Sequence, residues 1–243
     1  MGDHGSGGIA DHSVVAHEEW LAARSVFLKK EKEFTRLRDE LNRDRRALPW
    51  ERVAKPYEFD TPDGPRTLAA LFDGRSQLVV YHFMFGPESK GPCSHCSFWA
   101  DHFDGTLIHL RQRDVAFVAA SRAPLERIDA FKQRMGWRFP WVSSGRTDFN
   151  YDFQASFSPE DAKSGSAYYN YGTTRAGGVD REGISVFCQD AAGQVYHTYS
   201  AYARGIDLLS GTYNVLDLVP KGRDEAGLPS PQAWVRYHDT YGK

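Results

Sequence analysis

The spacing of apolar positions changes several times along this chain, and each change marks a predicted element. Over residues 17–48 the run "HEEWLAARSVFLKKEKEFTRLRDELNRDRRAL" is rich in strong helix formers and opens with Glu18 and Glu19, where the helix dipole favours acids; Pro49 stops it. Trp20, Phe27, Phe34, Leu41 and Leu48 recur every seven residues, but the positions three further on (Ala23, Lys30, Leu37, Asp44) are only half apolar. The pattern predicts a helix with a single apolar ridge rather than a full coiled-coil seam. At about 1.5 Å per residue it is roughly 45 Å long, longer than a small domain is wide. Either it lies across a second subunit, making a homo-oligomer, or it wraps its own domain. We expect the homo-oligomer.

Beyond that helix the chain alternates between strand-like and helix-like runs. "TPDGP" and "FDGR" are tight turns, and 78–85 is an apolar, β-branched and aromatic stretch that reads as a buried strand. Phe98, Phe103, Leu107 and Leu110 give 94–112 a helical stripe, and "DVAFVAAS" at 114–121 is a second buried strand. "APLERIDAFKQRMGW" is a helix with Leu125, Ile128, Phe131 and Met135 on one face and Gly136 as its stop; "FPWVSS" is a short strand or edge. Residues 146–182 are dense in Ser, Gly, Tyr, Asn and Asp and read as a long ordered insertion, because their aromatics argue against plain disorder. "GISVFCQDAAGQVYHTYS" is a hairpin, and "ARGIDLLSGTYNVLDLVP" a closing helix stopped by Pro220. The expected organisation is a disordered tail (1–13), the long helix (14–49), one α/β domain (50–220) and an irregular C-terminal tail with docked aromatics (221–243).

Composition narrows the function classes. At 243 residues with 41% hydrophobic and 14% aromatic content, the chain can bury a full core. A net charge of −2 with no polybasic run argues against nucleic acid or an anionic membrane surface as partner. The Gly-rich start has no basic or apolar region of a signal peptide, and no later segment is long enough to span a bilayer, so a cytoplasmic protein is expected. Three cysteines do not make a disulfide framework. In a reducing compartment a close pair is more often catalytic or metal-binding than structural.

That pair is in "GPESKGPCSHCSFWADHF", where Cys93 and Cys96 follow the first buried strand and open a helix. The order strand, Cys-x-x-Cys, helix, strand, helix, insertion, hairpin, helix is that of a thioredoxin fold, with the motif where that fold carries its active site. Free N–H groups at a helix start stabilise a thiolate, so Cys93 is the expected nucleophile and Cys96 the resolving thiol one turn on. His95, between them, would favour the thiolate and thus the reduced form, which leans towards an oxidising couple. Cys188 lies in an alternating strand and reads as a small buried hydrophobe.

Zinc is the alternative for the pair, since His82, His95, His102 and His109 lie near it in sequence. A tetrahedral site needs about four ligands within roughly 2.0 to 2.3 Å of the ion. His102 and His109 are about 10 Å apart along one predicted helix, so only one can contribute and His82 would have to supply the last ligand.

"EEWLAARSVFLKKEKEFTRLRDELNRDRRALPW", "LFDGRSQLVVYHFMFGP", "CSHCSFWADHFDG", "DVAFVAASRAPLERIDAFKQRMGWRFPWVSS" and "SVFCQDAAGQVYHTYSAYARGIDLLSGTYNVLDLVPKGRDE" resemble the bacterial thioredoxin-like family known as domain of unknown function 899. The resemblance covers nearly the whole chain after residue 13 and implies a thioredoxin-like fold with dithiol–disulfide activity. Within that superfamily the chain is most similar to the peroxiredoxin branch, through "SRAPLERIDAFKQRMGWRFPWVSS" and "DREGISVFCQDAAGQVYHTYSAYARG". It departs from that branch where peroxiredoxins need Pro and Thr or Ser, seven and three residues before the reactive Cys. Gly86 and Lys90 hold these places before Cys93, and Ser89 and Cys93 before Cys96, which argues against a standard peroxidase. Thioredoxins also carry a cis-Pro where this chain has Glu182 and Gly183, which argues against their usual protein docking.

The resemblance also suggests roles. His82 stands at a place resembling the buried acid of thioredoxins, as a base for Cys96 or as a core histidine. Arg181 matches the peroxiredoxin arginine before the facing strand, and Arg204 opens the last helix; each is otherwise a surface arginine. Trp99 and Trp137 are core residues or walls of a substrate pocket. Tyr169, with Tyr168 and Tyr171, either caps the site or packs the insertion. The expected function is a thiol–disulfide oxidoreductase, in which the Cys93 thiolate attacks a disulfide or oxidised substrate and Cys96 resolves the mixed disulfide. Its partners would be that substrate or a thiol reductant, and the redox-active disulfide would be its only cofactor. The alternatives are a peroxiredoxin-like thiol peroxidase and a non-enzymatic metal-binding or scaffold protein whose long helix recruits a partner.

Overall fold

The computed structural model describes residues 12–174 and 178–242. Most of the expected N-terminal tail (1–11) and three residues of the insertion (175–177) lie outside the described residues. Helix α1 (His17–Ala47) leads into strand β1 (Glu51–Arg52), the hairpin β2 (Glu58–Thr61) and β3 (Gly64–Thr67), and a 3-10 turn (Ala69–Phe72). Then follow β4 (Gln77–His82), α2 (Ser94–Ala100), α3 (Leu107–Gln112), β5 (Val115–Ser121), α4 (Leu125–Met135) and β6 (Trp141–Ser143). The insertion contributes α5 (Phe149–Asp152), α6 (Pro159–Ser164) and a ribbon of β7 (Ala167–Tyr169) and β8 (Gly172–Thr174). Strands β9 (Gly183–Gln189) and β10 (Val195–Tyr202), a 3-10 segment (Ala203–Leu209) and α7 (Gly211–Leu216) complete the domain.

The main sheet has the order β1-β10-β9-β4-β5-β6-β2-β3, with β4, β5 and β6 parallel, and β9 antiparallel to β4. A parallel β-α-β unit followed by an antiparallel hairpin on the other side of the first strand is a thioredoxin-like arrangement, here with a long N-terminal helix and an insertion before the hairpin. Alternation along β4 divides the core. Leu78 and Val80 join Phe59, Phe72, Phe149 and Phe187 under α5 and the 3-10 turn. Tyr81 joins Phe83, Cys96, Phe98, Trp99, Phe131 and Trp141 on the other face, under α2 and α4. Gly136, at φ 67°, ends α4 in the left-handed conformation that a side chain resists.

Three expectations change, and one alternative is excluded. The strand over 78–85 pairs only to His82; beyond it the chain leaves the ladder, and the Met84 carbonyl accepts the Cys93 N–H. The helix over 94–112 is two helices, because the Asp104 carboxylate accepts the backbone N–H groups of Arg138 and Phe139 and ties the segment between them to the exit of α4. The closing helix over 203–220 is interrupted at Ser210, which leaves helical backbone and accepts the Tyr213 N–H as the cap of α7. Finally, α1 does not wrap its own domain. None of its residues is buried, and it meets the sheet near its C-terminal end, where Arg45 lies over the Tyr199 ring at 4.8 Å. No helix among the described residues is long and apolar enough to cross a membrane.

Candidate active site

Cys93 has extended backbone (φ −70°, ψ 126°) and caps α2, and its Sγ accepts the Cys96 N–H at 3.3 Å. The cap is locked from below, since the Cys93 carbonyl accepts both the N–H of Ser97 at 3.0 Å and its hydroxyl at 2.9 Å. One turn on, Cys96 is buried; its Sγ accepts the Met84 N–H at 3.4 Å and its carbonyl accepts the Tyr81 hydroxyl at 3.2 Å.

This geometry sets the two thiols apart. Cys93 is lowered, chiefly by a hydrogen bond from the Cys96 thiol and further by the N–H groups of Cys96 and His95, against some desolvation. Burial pushes Cys96 well up, and a charge on Cys93 pushes it further. Cys93 therefore ionises before Cys96, and the charge the pair gains on ionising sits on its outer sulfur. Iodoacetamide at neutral pH is expected to label Cys93 well before Cys188, whose thiol is raised by burial, and to reach Cys96 only on unfolding. Peptide mass spectrometry over time checks this; equal rates at the three sites would contradict the ordering.

The other expected residues divide. His95 acts on Cys93 through its backbone N–H, and its ring makes no hydrogen bond among the described residues, in contrast to the expected imidazole contribution. His82 lies on the opposite face of the sheet from the cysteines, stacked on Phe149 at 5.5 Å with its Nε2 2.8 Å from the Ser185 hydroxyl. Adjacent strand residues face opposite ways, so Tyr81 takes the cysteine side and His82 cannot reach Cys96. The same geometry removes the ligand that zinc would need, and His102 is engaged by the Thr212 N–H at 3.0 Å. Among the described residues no group of three His, Cys, Asp or Glu side chains could hold a metal ion.

Burial drives His82 down to about 3, with the charge of His197 adding to the shift, so the ring is neutral in the fold. The unfolded ring binds a proton below about pH 6.5. This contribution to stability is therefore complete above that pH and is lost as the pH falls towards 3, at about 1.4 kcal/mol per unit. His82→Gln, which retains an amide for Ser185, should flatten the acid limb of urea-unfolding stability between about pH 6.5 and 4.5. Identical slopes for both proteins would count against it.

Trp99 and Trp137 are core residues, not pocket walls: their indole N–H groups donate to the Ile206 carbonyl and to Asp101. Arg204 is a surface residue, its side chain 88% exposed and paired with Asp207. Arg181 and Tyr169 are half-buried at the site's edge, and the Tyr169 hydroxyl donates to the Glu182 carbonyl while accepting the Ala203 N–H. Two contributors escaped the sequence reading. Tyr237, in the C-terminal tail, donates to the Pro92 carbonyl and so clamps the loop before Cys93. Glu182 is the other. Ile184 pairs with Tyr81 and shares its face, so Glu182, two residues earlier, points to the cysteine side, where its charge raises both thiols.

The family described as "Bacterial protein of unknown function (DUF899)" matches residues 9–241. No curated protein matches the chain. Among solved structures it is similar to peroxidoxin BcpB of Mycobacterium tuberculosis, at 15% identity over 69% of this chain and 97% of that one, with a TM-score of 0.44. It is also similar to peroxiredoxin Q of Xanthomonas campestris, at 16% identity over 67% and 94% of the two chains and a TM-score of 0.46. A hypothetical protein of Sinorhizobium meliloti 1021 is similar at 15% identity over 62% and 70%, with a TM-score of 0.37.

Proposed function

The chain belongs to the bacterial DUF899 family, and we propose that it is a thiol–disulfide oxidoreductase working through Cys93 and Cys96. The observation that carries the reading is the asymmetry of the pair: one thiol half-exposed, lowered and fed by N–H donors, the other buried and raised directly behind it. The Cys93 thiolate attacks one sulfur of a substrate disulfide, whose S–S bond breaks as the other sulfur leaves as a thiolate and takes a proton from water. Cys96 then loses its proton and attacks Cys93 Sγ. The mixed disulfide breaks, the second substrate thiol departs, and two electrons have passed from the protein to the substrate. Run backwards, the same steps oxidise a dithiol.

The second step needs an acceptor for the Cys96 proton, because burial holds that thiol protonated. We assign that role to the carboxylate of Glu182, the residue before β9, whose charge acts on both thiols, in place of His82. A cavity of about 280 Å³, lined in part by Gly86, Ser89, Arg122 and Asp180, opens beside the loop leading to Cys93 and gives a substrate room to approach.

The test is a competition. Reduced protein is mixed with oxidised glutathione or with hydrogen peroxide at equal concentration, and thiol loss at Cys93 is followed by trapping. The disulfide is expected to react faster. A rate far higher with peroxide would reassign the site to a thiol peroxidase, despite Gly86 and Lys90 standing where a peroxidatic cysteine has its Pro and hydroxyl partners.

A further inference from the structure

Helix α1 buries nothing, yet it is not polar. Trp20, Phe27, Phe34, Leu41 and Leu48 are each between 46% and 63% exposed, and Leu21, Val26 and Leu37 flank them in the same state. An uncovered apolar surface of this length marks a contact surface. We propose that a second copy of the chain covers it, the two α1 helices packing antiparallel about a two-fold axis at Phe34 to form a homodimer.

The ridge is symmetric in the required way. Phe27 and Leu41 are equally far from Phe34 along the chain, as are Trp20 and Leu48. In an antiparallel pair centred on Phe34, Trp20 meets the partner's Leu48, Phe27 meets the partner's Leu41, and Phe34 meets its own copy. Such isologous pairing is what a closed two-fold contact demands. The three aromatics expose about half of the ~150–250 Å² each can bury, and with the aliphatic residues around them the area per copy reaches several hundred Å², the order of a stable interface.

Charge and bulk set the direction. The first turn carries Glu18 and Glu19 and the last Arg45 and Arg46, so antiparallel helices bring opposite ends and opposed dipoles together, whereas parallel ones bring like charges together. The domain body joins α1 at its C-terminal end. Parallel pairing would crowd two bodies at one level, and antiparallel pairing sets them at opposite ends. At the foot of α1 a cavity of about 450 Å³, lined in part by Arg45, Trp50, Val186, Cys188 and Tyr199, lies at the level that the partner's Trp20 reaches.

Light scattering of the full chain across micromolar concentrations should give twice the 27.4 kDa chain mass, and the F27E/F34E double variant should give one chain mass with unchanged far-UV circular dichroism. A monomeric parent, or a variant that stays dimeric, overturns the proposal. Direction is read by disulfide crosslinking after the three native cysteines are replaced with serine. F27C mixed with L41C should crosslink, and F27C alone should not, because its two copies would sit about 21 Å apart. Self-crosslinking of F27C as fast as the mixture makes the pair parallel and overturns the antiparallel arrangement.

Discussion

Cys93→Ser is expected to lower thiol–disulfide turnover by roughly a thousandfold or more, leaving the fold intact. The hydroxyl that replaces the thiol does not ionise at neutral pH, so the donors that hold the Cys93 sulfur, the Cys96 thiol and the N–H groups of Cys96 and His95, have no anion to stabilise. The half-buried cap position tolerates the swap, because serine is itself a favoured helix cap. Cys96→Ser should fail differently. Its Cys93 still attacks but nothing resolves the product, so a mixed disulfide with glutathione accumulates and appears in the intact mass. Rates with oxidised glutathione and a thiol reductant check both variants. A Cys93→Ser protein with near-parent turnover would remove the nucleophile assignment.

Trp141→Ala is expected to cost about 3–5 kcal/mol of stability. Trp141 is 2% exposed and packs against Phe83, Phe85, Phe131, Trp137 and Phe139, with its indole N–H donated to the Ser121 hydroxyl at 3.0 Å. Phe83 and Phe85 belong to the stretch where the chain leaves the sheet for Cys93, so the cavity left by the indole opens beneath the loop that sets the dithiol. Urea unfolding should show the loss in its midpoint, and Cys96 should become accessible to alkylation in the folded variant. A cost below about 1 kcal/mol would mean that the site rests on other contacts.

Some of this architecture was legible in the chain because it depends on local pattern. The apolar run that became β5, the periodic face of α4 with Gly136 at its end, and the two alternating runs of the β9–β10 hairpin need no knowledge of their neighbours. The break between α2 and α3 left a sign that could have been used: Phe98 and Phe103 are five apart, and no single helical face keeps that spacing. The side of the sheet on which His82 falls had no such sign. Alternation sets it opposite Tyr81, but only the helices packed on each face decide which of the two meets the cysteines. Glu182 becomes visible only through the pairing of β9 with β4, and Tyr237 reaches the Pro92 carbonyl from the far end of the chain. The lone ridge of α1 was plain in the sequence. That its own domain leaves it uncovered is a property of the fold.

The proposed oxidoreductase requires Cys93 and Cys96 to form a reversible disulfide, which is tested by equilibrating the protein across a glutathione series, quenching with a thiol trap and mapping disulfides by peptide mass. A Cys93–Cys96 bond is expected to appear and disappear along the series with a single midpoint, while Cys188 stays trapped as a thiol throughout. If no Cys93–Cys96 bond forms at any point of the series, with the protein still folded, the pair is not a redox couple and the oxidoreductase reading fails.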